Sequence, residues 1–116
     1  MATEDVFASS VRSVGDLAGV YEHDGDTGFF YLYDTKGREG QKVLGSVRIL
    51  SGHPDFTEQD VSIRWDSEEQ RVGLFIRHVL WAVFDARLRV PYGGSYRLGA
   101  KPSLPSEAEE WFGVSS

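Results

Sequence analysis

Val61-Ser62-Ile63-Arg64-Trp65-Asp66-Ser67-Glu68-Glu69-Gln70-Arg71-Val72-Gly73-Leu74-Phe75-Ile76-Arg77-His78-Val79-Leu80-Trp81-Ala82-Val83-Phe84-Asp85 is the stretch on which the fold turns. Its opening alternates, with Val61, Ile63 and Trp65 to one side and Ser62 and Arg64 to the other, the two-residue period of a strand with one face in the core. Asp66 to Gln70 is a charged turn, Arg71 to Ile76 a second strand, and Val79 to Asp85 a third. The last two make a hairpin that reverses at Arg77-His78. Neither residue readily takes the positive φ of a tight two-residue turn, so a wider or strained loop is expected there.

Working backward, Leu17 to His23 and Thr27 to Asp34 read as strands about an Asp24-Gly25-Asp26 turn. Lys42 to Leu50 reads as another, after the polar loop Lys36 to Gly40. At the N-terminus Phe7, Val11, Val14 and Ala18 fall at helical spacing with Thr3 as a candidate cap, but Gly15 and the serines oppose a helix. Residues 1–16 are therefore read either as a docking helix or as a frayed tail. Working forward, Val90 to Gly94 reads as a flexible loop around Pro91, Ser95 to Leu98 as a short edge strand, and Gly99 to Pro105 as a linker. Ser106 and Glu109 have the spacing of a capping box, which predicts a short helix over 106–112 carrying Trp111 and Phe112. The fold expected is mainly β: a six- or seven-stranded antiparallel meander over 17–98, forming a curved sheet, a sandwich or an open barrel, with a C-terminal helix.

Two strands, Phe29 to Leu32 and Val79 to Phe84, are apolar on both alternating faces, so each needs cover on two sides. A second layer of the same chain is the preferred reading. A partner docking on exposed aromatics is the other.

With 116 residues, 41% hydrophobic and 26% charged, the chain is expected to form one domain, 1–116, whose core needs no disulfide. The absence of cysteine excludes disulfides, thiol nucleophiles and cysteine zinc sites. The longest apolar run, Val79 to Phe84, cannot cross a bilayer, and Met1 to Asp5 lacks the positive start of a secretory signal. A cytoplasmic protein without membrane contact is expected. The net charge of −6 argues against nucleic acid as partner and would steer a basic protein toward the chain. That charge is regional, with −8 over residues 1–70, +5 over 71–101 and −3 beyond. The middle excess comes from Arg71, Arg77, Arg87, Arg89, Arg97 and Lys101. Pairing of these cations with acids of earlier strands is preferred over an anion-binding patch.

Glu22-His23-Asp24-Gly25-Asp26-Thr27-Gly28-Phe29-Phe30-Tyr31, then Val61-Ser62-Ile63-Arg64-Trp65, then Ala82-Val83-Phe84-Asp85 follow one another in an order and spacing that resembles a small bacterial family, domain of unknown function 2251, over Tyr21 to Tyr96. The resemblance implies a β-rich fold and a bacterial origin, and it carries no activity or catalytic residue. The chain departs from the family pattern at Arg77-His78, where an Asn-Gly-like turn is usual.

No motif assigns a reaction. Asp24-Gly25-Asp26-Thr27-Gly28 spaces carboxylates like the start of a calcium loop, but Gly28 stands where such a loop needs a third oxygen ligand and Thr35 where it needs a Glu, so a hairpin turn is expected. His23, His53 and His78 have no metal-ligand spacing and are read as exposed. Tyr92-Gly93-Gly94-Ser95-Tyr96 beside Arg89 and Arg97 has amides and rings suited to a phosphate or a base, without a P-loop's lysine and helix; a glycine loop beside an edge strand is the preferred reading. No catalytic residue, metal or cofactor is assigned, and an enzyme is the less favoured class.

The leading expectation is a noncatalytic binding protein, with toxin-neutralising immunity proteins as one example, presenting Asp24, Asp26, Asp55, Glu58, Asp60, Glu68 and Glu69 to a basic partner. A homodimer burying the second apolar face is a further possibility. The alternative is a small-ligand protein or enzyme with an aromatic pocket of Tyr31, Tyr33, Trp65 and Trp81, with Arg97 and with Asp85 or a histidine as polar groups. Tyr92 belongs to the same candidate set.

Overall fold

The computed structural model describes residues 6–38, 40–97 and 99–113. They form two four-stranded antiparallel sheets, each a meander in chain order. The first holds β1 (Val6–Val11), β2 (Leu17–His23), β3 (Thr27–Asp34) and β4 (Val43–Ser51). The second holds β5 (Val61–Trp65), β6 (Arg71–Ile76), β7 (Val79–Asp85) and β8 (Val90–Gly93). A 3-10 turn at Glu58–Asp60 precedes β5, and a single helical turn, α1 (Ala108–Trp111), follows β8. The mainly β, antiparallel expectation holds, and of the three shapes considered the chain adopts the sandwich.

Alternation builds the core. Tyr21, Phe30 and Leu32 of the first sheet meet Ile63, Val72, Leu74 and Phe84 of the second in one buried cluster. The sheets approach tightly at Gly19, where a Cβ would lie 2.5 Å from Val72 Cγ2 and 2.9 Å from Ile63 Cγ2. Only glycine leaves room for that approach.

Three expectations are corrected. The N-terminal segment is neither a helix nor a frayed tail over its described part: Val6–Val11 pairs along its length with Ala18–His23. Phe7 and Val11, four apart, share a face in a strand as well as in a helix, and the pairing with β2 decides between the two periods. Thr3, the candidate cap, lies outside the described residues. Next, the eighth strand is Val90–Gly93, read from sequence as a loop because of Pro91. It is an edge strand, where a missing N–H is tolerated. Ser95 to Arg97 forms no strand, and Leu98 lies outside the described residues. Finally, α1 begins after Glu107, with no side-chain bond at its N-cap, so the Ser106 capping box is not formed. A four-residue helix has no stability of its own and rests on packing.

That packing answers half of the two-sided question. On β7, Ala82 and Phe84 face the other sheet, while Leu80 and Val83 join Phe75, Ala108 and Phe112 in a second buried cluster. Phe112 meets Phe75 edge-on at 5.6 Å, and Trp111 meets Tyr92 at 5.6 Å. Gly73 makes the seat, since a Cβ there would lie 2.8 Å from Phe112 Cζ. Cations complete it: the Arg71 guanidinium lies 4.2 Å over Trp111, and that of Arg64 lies 5.0 Å over Phe75. The chain covers the outer face of its second sheet with its own tail.

The Arg77-His78 turn is tight, not wide. Ile76 pairs with Val79 across it, and both turn residues sit in the left-handed region, at φ 51° and 69°. The strain is offset by anchoring, because Arg77 N donates to Asp60 O at 2.8 Å and its guanidinium lies between Asp55 and Asp60.

Candidate functional site

The outer face of the first sheet is laid out by its register. Cross-strand partners share a face, so three rows run across it: Phe7, Glu22, Phe29 and Arg48; Ser9, Val20, Tyr31 and Ser46; Val11, Ala18, Tyr33 and Val43. Among the described residues no element lies over these rows. Phe7, Val11 and Val43 are each about half exposed, at 51%, 53% and 52%. The Phe29 and Tyr31 rings stack along β3 with centroids 6.1 Å apart. Between β1 and β4 the rows enclose an apolar groove of about 480 Å³, floored by Val20, Tyr31 and Tyr33.

Glu22 is the one charged residue of that lining. Burial pushes the Tyr31 hydroxyl above its ordinary range, and the negative charges of Glu22 and Asp24 push it further in the same direction. The groove is thus apolar along its length and electronegative at the Glu22 end. Such a surface suits a chain segment carrying apolar side chains and a lysine or arginine.

The sequence-derived candidates do not converge. Tyr31 and Tyr33 lie in the groove. Trp65 closes the edge between the sheets, donating from Nε1 to Ser10 O at 2.9 Å under the Arg12 guanidinium. Trp81 is buried in the main core against Tyr96, and Tyr92 lies under Trp111. Asp85 caps a turn, its Oδ1 accepting from Arg87 N and Leu88 N at 2.9 Å. Arg97 lines a separate polar cleft. The single aromatic pocket envisaged from sequence is not assembled.

Several acids expected on display are engaged internally. Asp24 Oδ1 accepts from Asp26 N and Thr27 N at 2.9 Å, bonds that hold its carboxyl below the usual range and make the Asp-Gly-Asp segment a hairpin turn. Glu58 accepts from Phe7 N, Glu69 from Ser13 N, and Asp55 from the Tyr96 hydroxyl. Asp26 and Glu68 are exposed.

His23, read as exposed, is fully buried. Its Nδ1 accepts from Gly25 N at 2.9 Å, which places the proton on Nε2, 2.8 Å from Gly52 O. It ties the hairpin turn to the loop after β4. Among the described residues no three His, Asp or Glu side chains are grouped to hold a metal ion.

The glycine loop follows the preferred reading, a loop beside an edge strand, because its amides are spent on the backbone. Gly94 N donates to Trp81 O, Ser95 N to Arg48 O and Tyr96 N to Ile49 O. Of the basic segment, Arg71 faces Asp66 and Asp85, and Arg77 faces Asp55 and Asp60, which agrees with the pairing reading. Arg87, Arg89 and Arg97 are exposed and, among the described residues, in no ion pair within 4.0 Å.

A family model described as an uncharacterized protein conserved in bacteria, DUF2251, matches residues 1–111. The chain belongs to the DUF2251 family. This DUF2251 chain is also similar to an uncharacterized protein of Haemophilus influenzae strain Rd, 26% identical over 133 aligned residues covering 96% of this chain and 80% of that protein. No solved structure matches it. No helix among the described residues is long and apolar enough to cross a membrane.

Sequence reasoning missed Phe7, Val11, Val20, Glu22 and Val43 as groove residues. Their assembly depends on the register of four strands, and no local pattern carries register. The available signal was the doubly apolar run of β3, which marked a face needing cover.

Proposed function

We propose that this DUF2251 protein is a noncatalytic binding protein that docks a basic, apolar segment of a partner protein on the outer face of its first sheet. One observation carries this reading: the chain buries the outer face of its second sheet under its own tail, while the equivalent face of the first presents stacked aromatics and a groove with a single carboxylate. An open apolar face rimmed by polar groups is the usual form of an interaction site. A heterologous partner fits better than a second copy, which would bring a second Glu22 and a second charge of −6 to the same face. Neutralisation of a basic toxin is one role of this kind, and the acidity of the chain would raise the association rate.

The test is a comparison of affinities for the partner purified from the bacterial host. Glu22→Lys should weaken binding about tenfold or more through the lost pairing and added repulsion, with a reduced salt dependence. Tyr31→Ser should raise the dissociation rate. If both variants bind as wild type does, the groove is not the docking surface.

A further inference from the structure

We infer that the cleft between the end of β4 and the segment Ser95 to Arg97 is a binding site for a small phosphorylated molecule, separate from the groove on the sheet's outer face. The cleft has a volume of about 440 Å³, and its polar lining includes Arg48, Ser51, His53, Ser95, Tyr96 and Arg97. Two arginines, Arg48 from β4 and Arg97 from the segment beside it, therefore belong to one concavity. Among the described residues neither Arg48 nor Arg97 has a carboxylate within 4.0 Å, unlike Arg12, Arg71 and Arg77. The one acid in the lining, Asp55, is already occupied. It accepts from Tyr96 Oη at 2.8 Å, and the Arg77 guanidinium lies 3.8 Å from the same carboxylate. Its charge is offset from outside the cleft, which leaves the excess inside positive.

The walls are fixed by unusual backbone. Gly93, Gly94 and Ser95 all take positive φ, at 82°, 108° and 54°, and Ser95 does so with a side chain. Bonds from Tyr96 N to Ile49 O and from Ser95 N to Arg48 O tie this strained segment of the second sheet's chain to the edge of the first. Those bonds keep Ser95 and Arg97 next to the end of β4, in the same cleft lining as Arg48 and His53. Guanidiniums, an imidazole and hydroxyls are donors matched to phosphate oxygens, and two arginines suit its double charge. The loop's amides take no part, being used by the backbone.

The experiment is amide NMR titration of the intact protein at low ionic strength with inorganic phosphate, and with acetate as a singly charged comparison. Phosphate should give saturable shifts confined to residues 48–55 and 95–97, with acetate at least fivefold weaker. Arg48→Ala and Arg97→Ala should each weaken phosphate about tenfold, and the double variant should lose it. Both side chains are exposed, so folding is retained, which a thermal melt checks. Arg87→Ala, an exposed arginine outside the cleft, should bind as wild type does. Unsaturable shifts, equal response to acetate, or unchanged binding in the double variant would each overturn the inference. A loss of groove binding in Glu22→Lys with phosphate binding intact separates this site from the docking face.

Discussion

Replacing Phe112 by alanine tests how the second sheet obtains its cover. The Phe112 side chain is 6% exposed and fills the seat above Gly73, edge-on to Phe75 at 5.6 Å. Loss of a buried ring of this size costs roughly 2–3 kcal/mol of transfer free energy. The edge-to-face pair adds about 1 kcal/mol. The total, about 3–4 kcal/mol, matches the usual range for Phe→Ala in a core. With a urea slope of about 2 kcal/mol/M, the unfolding midpoint should fall by nearly ~2 M. Tyr31→Ser, on the uncovered face, removes a half-buried ring stacked on Phe29 and should cost about 1 kcal/mol or less. Urea unfolding followed by far-UV circular dichroism measures both, and Trp111 fluorescence should report release of α1 in Phe112→Ala at low denaturant. Equal midpoints for the two variants would refute the claim that one face is self-covered and the other open.

Three further outcomes follow from other parts of the fold. Gly19→Ala should destabilise by roughly 1–3 kcal/mol, although alanine is normally the better strand residue, because its Cβ meets Val72 and Ile63; thermal melts decide the sign. His78→Gly should stabilise by about 1 kcal/mol by relieving the left-handed φ of 69°, read as a higher urea midpoint with an unchanged slope. The Arg12 guanidinium, bonded to Asp16 at 2.6 Å, holds that carboxyl at about 2, below its ordinary 3.8. Its contribution to stability is therefore present above the unfolded value and lost as pH falls toward about 2. Asp16→Asn should flatten the urea midpoint across that window and leave the profile at higher pH parallel to wild type.

Much of the fold was legible because its signal is local. The alternation of Val61 to Trp65, the Asp24-Gly25-Asp26 turn and the apolar runs of β3 and β7 each read correctly from a few residues. The failures share a cause. Phe7 and Val11 fit both the helical and the strand period, and only pairing with β2 decides between them. Pro91 argued against a strand that its edge position permits. His23 looked exposed beside Asp24 because its burial depends on Gly52, distant in sequence. The groove was half visible: the excess of aromatics on β3 marked Tyr31 and Tyr33, but Glu22 and the β1 and β4 residues join them only through register. Asp85 and Trp81 have chemistry suited to a site and are used structurally.

The most direct test of the docking face is site-specific photo-crosslinking in the bacterial host, with the reactive amino acid placed at Val43 on the groove or at Leu88 away from it. The two positions are similarly exposed, at 52% and 60%, so exposure alone does not distinguish them. Val43 should yield an adduct with one heterologous protein, attached at an apolar segment bearing lysine or arginine, and Glu22→Lys should abolish it while Leu88 gives none. The same adduct from both positions, no adduct from Val43, or adducts only with another copy of the chain would contradict the account.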